Sequence, residues 1–106
     1  MSDVLQQLGR ILAERKSADP RQSYVASLYA QGNEAILKKI MEEAGEVVLA
    51  ARSADPGAIV HEMADLWFHT LVLLAHAGLN PERVLEELAG RLGRSGLEEK
   101  AARKGK

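Results

Sequence analysis

The stretch that decides the fold is residues 34–77, EAILKKIMEEAGEVVLAARSADPGAIVHEMADLWFHTLVLLAHA. Apolar residues recur there every three or four positions, which is the period of an α-helix rather than of a strand. Residues 55–57 read Asp-Pro-Gly, a sequence typical of a turn followed by the start of a helix. The stretch therefore predicts two long helices, from Glu34 to Arg52 and from Pro56 to Ala77.

The rest of the chain also shows helical periodicity, and its proline and glycine residues mark where helices end. We predict a first helix from Val4 to Lys16, a break over Ser17 to Gln22, and a short segment over Ser23 to Gln31. A further helix is predicted to begin at Pro81 and to reach Leu92, before a charged tail. The sequence therefore predicts an all-α fold, a bundle of four main helices without a sheet, in one domain over residues 1–106.

The composition narrows the possible classes of function. The 106 residues include 15 acidic and 14 basic side chains, for a formal charge of −1, so no general attraction to nucleic acid or an anionic membrane is expected. There is no cysteine, which excludes disulfides, thiolate metal sites and thiol catalysis. We see no leader sequence and no apolar run of roughly 18 residues. We expect a soluble cytoplasmic protein with neither a nucleic-acid nor a membrane partner.

Two pairs of carboxylates fall on the two long predicted helices. Glu43 and Glu46 are three residues apart on the first of these helices, and Glu62 and Asp65 have the same spacing on the second. At about 100° per residue, the members of each pair lie about 60° apart on one side of their helix. Glu43 borders the apolar stripe of its helix, whereas Glu42 points away from it. We therefore predict a metal site formed by Glu43, Glu46, Glu62 and Asp65, with Glu42 in a supporting role.

A site built from carboxylates is typical of a hard divalent cation. Ionised carboxylates placed together beside an apolar core are unfavourable unless cations or hydrogen bonds compensate them. Oxygen ligands favour Mg²⁺, or Mn²⁺ as a substitute, over Zn²⁺, and Mg²⁺ commonly binds substrate phosphates. The alternative interpretation is that the acidic pairs form solvated helix faces with i, i+4 ion pairs. The occurrence of two pairs on consecutive helices favours the metal site.

Three further polar residues lie near these carboxylates in the sequence. Lys39 stands one turn before Glu43, and it either neutralises substrate phosphate or forms an i, i+4 ion pair. His69 stands one turn after Asp65, and it either contacts substrate or is a hydrogen-bonded core histidine. We interpret His61 as a surface residue.

The second long predicted helix is apolar around most of its circumference, apart from one polar stripe. Such a helix is expected to be largely buried. Because a thin four-helix subunit cannot cover it on every side, we predict a homodimer or a higher homo-oligomer, with Trp67 and Leu71 among the contacts.

The two carboxylate motifs, at residues 42–46 and 62–65, resemble the signature of the MazG-like all-α pyrophosphohydrolases. Those enzymes use Mg²⁺ to split nucleoside triphosphates between the α and β phosphates. Longer segments are similar to the phosphoribosyl-ATP pyrophosphatase family within that group, namely SYVASL at 23–28, KKIMEEAGE at 38–46, ADLWFH at 64–69 and RSGLEEK at 94–100. The resemblance covers nearly the whole chain.

The resemblance implies hydrolysis of phosphoribosyl-ATP to phosphoribosyl-AMP and pyrophosphate, the second step of L-histidine biosynthesis. It implies attack by water at a metal site, with Glu43 or Glu46 accepting the proton of the water. The substrate contacts that it suggests are Ser23, Lys39, His69, Arg94, Lys100 and Arg103. The alternative enzyme is a house-cleaning pyrophosphatase of (deoxy)nucleoside triphosphates, and the alternative from another class is a non-catalytic helical dimerisation module.

Overall fold

A computed structural model describes residues 3–93 of the chain, and helices occupy most of that range. The helices are α1 (Val4–Glu14), α2 (Tyr24–Gln31), α3 (Asn33–Ser53), α4 (Pro56–His76) and α5 (Pro81–Ala89). A 3₁₀ turn over Arg15–Ser17 continues α1. Residues 3–93 contain no strand, which confirms the predicted all-α class. The four main helices end within three residues of their predicted limits, and the short segment before α3 forms a helix of its own, α2.

Local sequence signals explain where the helices begin and end. The Ser23 hydroxyl accepts a hydrogen bond of 3.1 Å from the Ala26 backbone N–H and thereby caps α2. Gly32 has a φ of 99° and lies between α2 and α3, where a side chain would be strained. The Asp55 carboxylate accepts a hydrogen bond of 3.0 Å from the Gly57 N–H and caps α4. These caps fix the two junctions that flank α3.

The helices pack around a single apolar core. α3 and α4 form the most extensive interhelical contact, as expected for antiparallel neighbours joined by a two-residue link. α1 packs against α4 and α5, and α2 packs against α3. The buried apolar residues of this core are Leu12, Val25, Leu28, Ile36, Leu71, Val72 and Ala75.

α4 is only partly buried within the single subunit. All of its buried residues lie between His69 and Ala75, whereas Val60 is exposed and Trp67 is 56% exposed. The N-terminal half of α4 is exposed within one subunit because only α1 and α3 pack extensively against this helix. This agrees with the expectation that one thin subunit cannot cover the helix on every side, and burial against a second copy stays a prediction. Leu71, which we expected at a subunit contact, lies in the core of its own subunit, so that assignment is wrong.

By length and composition alone, α4 is the one helix within residues 3–93 that could cross a membrane, a feature that we did not expect from the sequence. Its most apolar window has a mean hydropathy of 1.3. However, the helix carries Glu62, Asp65 and three histidines, and such side chains are costly in a bilayer core. α4 also supplies several of the buried residues of the bundle. The apolar composition of its C-terminal half is therefore explained by its packing in the core.

The contact between α1 and α5 depends on the small size of Gly9. A Cβ atom at this position would lie 2.6 Å from Cδ of Pro81, the buried proline that begins α5. Because a proline ring cannot rotate away, Gly9→Ala must push α5 from α1. We expect this change to lower the free energy of unfolding by about 1–3 kcal/mol, measured by urea denaturation followed by circular dichroism.

Gly45→Ala is the matched control, because Gly45 is also inside a helix but has no atom within 4 Å of the added Cβ. There the change should raise the free energy of unfolding by up to about 1 kcal/mol, since alanine is the better helix former. A Gly9→Ala protein as stable as the parent would contradict the tight α1–α5 contact.

Candidate active site

On α3, Lys39 forms ion pairs with two of the predicted site carboxylates. Its Nζ atom lies 3.4 Å from Oε1 of Glu43 and 3.7 Å from Oε2 of Glu42. The side chain of Glu43 is 12% exposed, whereas that of Glu42 is 50% exposed. This difference agrees with the sequence interpretation, in which Glu43 borders the apolar stripe of its helix and Glu42 points outward. Glu46, one turn further along α3, is exposed.

The surroundings of Lys39 raise the pKa of its ammonium group above the ordinary value of 10.5. Partial burial would lower this pKa, but the neighbouring Tyr24, the hydrogen bond to Glu43, and the charges of Glu43 and Glu42 outweigh that effect. Lys39 is therefore a cation at neutral pH.

On α4, three potential metal ligands lie on one face of the first turns. One ligand atom from each of His61, Glu62 and Asp65 can be chosen so that all three lie within 4.8 Å of one another. Nε2 of His61 is 3.5 Å from Oδ2 of Asp65. Glu62 and Asp65 are partly buried, and His61 is exposed, as the sequence interpretation expected. That interpretation nevertheless missed His61 as a neighbour of the site, although its i, i+4 spacing from Asp65 could have indicated it.

The donor atoms of this group fit a divalent cation. Two carboxylates one turn apart on a partly exposed helix face offer oxygen ligands and leave room for water, which is the coordination that Mg²⁺ prefers. The imidazole of His61 extends the set to a nitrogen ligand that Mn²⁺ accepts. Among residues 3–93, no carboxylate of α3 belongs to a group of three or more ligand atoms at this spacing. The structure thus brings Glu62 and Asp65 together on α4, and the four-carboxylate cluster that includes Glu43 and Glu46 stays a prediction.

His69 is the one buried polar or charged side chain among residues 3–93, with 6% of its surface exposed. Its Nδ1 atom lies 2.8 Å from the backbone oxygen of Asp65, and its Nε2 atom lies 2.9 Å from the Tyr24 hydroxyl. The sequence left open whether this histidine contacts substrate or is a hydrogen-bonded core residue. Both of its ring nitrogens have partners within the subunit, so its geometry is that of a hydrogen-bonded core histidine.

The remaining predicted substrate contacts are Ser23 and three basic residues of the tail. Ser23 is partly buried, and its hydroxyl oxygen serves as the cap of α2. Arg94, Lys100 and Arg103 lie outside the described residues. The structure therefore places Lys39, Ser23 and His69 on three different helices or their caps, and it does not test the basic residues of the tail.

A prominent cavity of the bundle lies apart from the acidic site. It has a volume of about 460 Å³, lies between α1, α4 and α5, and has an almost entirely apolar lining that includes Leu5, Trp67 and Leu88. A highly charged phosphate ester would find few polar partners there beyond Thr70. This cavity is therefore poorly suited to binding phosphate groups.

A helical bundle with carboxylate pairs on its two longest, adjacent helices has the features of the all-α nucleotide pyrophosphohydrolases. The family model described as phosphoribosyl-ATP pyrophosphohydrolase matches residues 5–91. The phosphoribosyl-ATP pyrophosphatase of Methylococcus capsulatus is 62% identical, over 96% of this chain and 97% of the relative. The enzyme of that name from Neisseria gonorrhoeae is 55% identical, over 94% of this chain and 94% of the relative. The one from Ralstonia nicotianae is 54% identical, over 98% of this chain and 93% of the relative. The chain therefore belongs to the phosphoribosyl-ATP pyrophosphohydrolase family.

Proposed function

We propose that this chain hydrolyses phosphoribosyl-ATP to phosphoribosyl-AMP and pyrophosphate, the second step of L-histidine biosynthesis. The observation that carries the proposal is the family match over residues 5–91, together with relatives of that name at 54–62% identity along almost their whole length. In the reaction, the oxygen of water forms a bond to the α phosphorus. The anhydride bond between the α and β phosphates breaks, and pyrophosphate leaves with the bonding electrons.

The proposed ligands of the catalytic Mg²⁺ are Glu62 and Asp65 from α4 and Glu43 and Glu46 from α3, with Glu42 in support. The contact between α3 and α4 and the close approach of the α4 ligand atoms support this assignment. When bound there, Mg²⁺ supplies positive charge that neutralises phosphate oxygens and makes water a better nucleophile.

The protein side chains then bind the phosphates and move the proton. The ammonium of Lys39, charged at neutral pH, directs one N–H group to a Glu43 oxygen 3.4 Å away and can donate its other two to phosphate oxygens. Glu43 or Glu46 accepts the proton of the attacking water as a general base. Ser23 at the start of α2 and the tail residues Arg94, Lys100 and Arg103 are further proposed contacts of the substrate.

The proposal is tested by measuring pyrophosphate release from phosphoribosyl-ATP with Mg²⁺, with Mn²⁺ and with excess chelator, alongside a panel of ribo- and deoxynucleoside triphosphates. We expect kcat/KM to be highest for phosphoribosyl-ATP and to fall to background with chelator. Preferential cleavage of a deoxynucleoside triphosphate would instead favour the house-cleaning pyrophosphatase. Absence of metal-dependent release with every nucleotide would favour a non-catalytic helical module.

The functional form that we propose is a cytoplasmic homodimer or higher homo-oligomer. The exposed apolar surface on the N-terminal half of α4, with Val60, Met63 and Trp67 beside one another in a shallow groove, supports a second copy as its partner. We expect light scattering to give a mass at least twice the chain mass of 11.5 kDa. Trp67→Glu should shift the measured mass toward that of the monomer. A monomeric mass for the parent protein at micromolar concentration, with native helicity, would contradict this assembly.

A further inference from the structure

The face of α4 that carries Glu62 and Asp65 also carries an imidazole, that of His61. At about 100° per residue, Asp65 lies about 40° around the helix from His61 and about 60° from Glu62, on the side between them and one turn further on. One ligand atom from each of the three can be chosen so that all lie within 4.8 Å of one another. The three side chains therefore converge on one region in front of the helix.

The distance between the ligand atoms of His61 and Asp65 is close to that of two ligands bound to one ion. Mg²⁺ and Zn²⁺ hold nitrogen and oxygen ligands at about 2.0–2.2 Å, so adjacent ligands lie about 2.8–3.6 Å apart. Nε2 of His61 is 3.5 Å from Oδ2 of Asp65. The side chains are 72% and 42% exposed, so small rotations can bring all three ligand atoms to coordination distance without disturbing the core.

An imidazole ligand changes which ion such a site prefers. Mg²⁺ favours carboxylate oxygens and water, so Glu62 and Asp65 serve it without a nitrogen ligand. Imidazole nitrogen suits Zn²⁺ and similar transition ions, which also bind a mixed nitrogen and oxygen site more tightly than Mn²⁺ does. His61 therefore adds affinity for transition ions and little for Mg²⁺.

We propose that His61 determines metal selectivity: its Nε2 atom, with Glu62 and Asp65, forms a three-ligand set on α4 that binds Zn²⁺ or a similar transition ion in competition with Mg²⁺. The inference rests on the proposed function in that it places the competing ion on ligands assigned there to the catalytic Mg²⁺. An ion bound by this set excludes Mg²⁺, so the level of transition ions sets the fraction of the protein that Mg²⁺ can occupy.

The test is calorimetric titration of tag-free, metal-free protein with Zn²⁺ alone and with Mg²⁺ alone. His61→Gln replaces the imidazole with an amide. We expect its Kd for Zn²⁺ to rise about tenfold or more, because losing a ligand costs at least as much as losing a group that supports one. The Kd for Mg²⁺ should change by less than about threefold, since its oxygen ligands remain. An unchanged Kd for Zn²⁺, or an equal rise for both ions, would overturn the proposal.

His76→Gln is the matched control, because it removes another histidine of the same helix. His76 is fifteen residues after His61, about 22 Å along the helix axis, and its ring stacks against Tyr29 with the ring centroids 5.7 Å apart. The Kd values for Zn²⁺ and Mg²⁺ should both stay at those of the parent protein. A loss of Zn²⁺ affinity as large as that of His61→Gln would place the bound Zn²⁺ elsewhere and contradict the proposed ligand set.

Competition between the two ions tests whether they share one site. Titration with Zn²⁺ in the presence of saturating Mg²⁺ should give a weaker apparent affinity than titration without Mg²⁺. A Zn²⁺ affinity that does not depend on Mg²⁺ would show two separate sites and overturn the proposal.

Nitrogen NMR of the imidazoles identifies the ligand atom without substrate. We expect Zn²⁺ to shift the Nε2 resonance of His61 and Mg²⁺ to leave it nearly unchanged. If Zn²⁺ binds without shifting that resonance, the contact between His61 and Asp65 is an ion pair only, and the proposal is wrong. Failure of the proposed function is distinguishable from this result, because it would appear as a protein that binds the ions as expected but releases no pyrophosphate.

Discussion

Asp65→Asn and Glu62→Gln are each expected to lower kcat for phosphoribosyl-ATP by about 100-fold or more at saturating Mg²⁺. Removal of a residue that only supports a metal ligand costs about 10–100-fold, so loss of a ligand itself should cost at least the upper end of that range. Both residues are partly buried on the same face of α4, and neither side chain belongs to the apolar core. The helical circular dichroism spectrum should therefore be retained. Steady-state kinetics across a Mg²⁺ titration measures the effect.

Stability should respond in the opposite direction from activity in these two variants. Replacing one of several neighbouring carboxylates with an amide relieves charge repulsion, so the metal-free variants should be as stable as the parent protein or slightly more stable. Glu87→Gln on α5 is the control, because it removes an exposed carboxylate paired with Arg91 and should leave kcat unchanged. Near-normal turnover by both α4 variants would remove these residues from the metal site.

Leu12→Ala is expected to cause the largest loss of stability, about 2–5 kcal/mol in the free energy of unfolding. Leu12 is 1% exposed and contributes to the core in which α1 packs against α4. Small domains have a total stability of only about 5–15 kcal/mol, so this change removes a large part of it. Urea unfolding should be compared at one fixed protein concentration, because association of subunits would make the midpoint depend on concentration.

Ile11→Ala is the matched control for Leu12→Ala. Ile11 is the preceding residue of α1 and is 43% exposed, so its truncation leaves no closed cavity and should cost about 1 kcal/mol or less. Similar losses for the two variants would contradict the orientation of α1, and with it the packing of the core.

The sequence predicted the helices well because their ends are encoded locally. Asp55 with Pro56 starts α4, Gly32 separates α2 from α3, and Pro81 begins α5. Each of these signals acts within a few residues, so no knowledge of the tertiary fold is needed to interpret it. The short link between the two long helices likewise indicates that α3 and α4 pack against each other.

Contacts between distant parts of the chain could not be predicted in this way. The hydrogen bond between Tyr24 and His69 joins residues 45 positions apart, and the contact of Gly9 with Pro81 depends on how α5 returns to α1. Helical periodicity shows which side of a helix is apolar, but it does not show which neighbour covers that side. For this reason the sequence indicated that one subunit cannot cover α4 on every side, but it did not show that the N-terminal half, with Trp67, is the part left exposed.

The most direct measurement is the position of Mn²⁺, as a substitute for Mg²⁺, located by anomalous diffraction in crystals of the protein. Mn²⁺ accepts the same carboxylate ligands and can be distinguished from water. We predict an ion at coordination distance from carboxylate oxygens of both helices, including Glu43 or Glu46 from α3 and Glu62 or Asp65 from α4. An ion bound by α4 alone, with the α3 carboxylates directed to solvent, would contradict a metal site shared between the two helices.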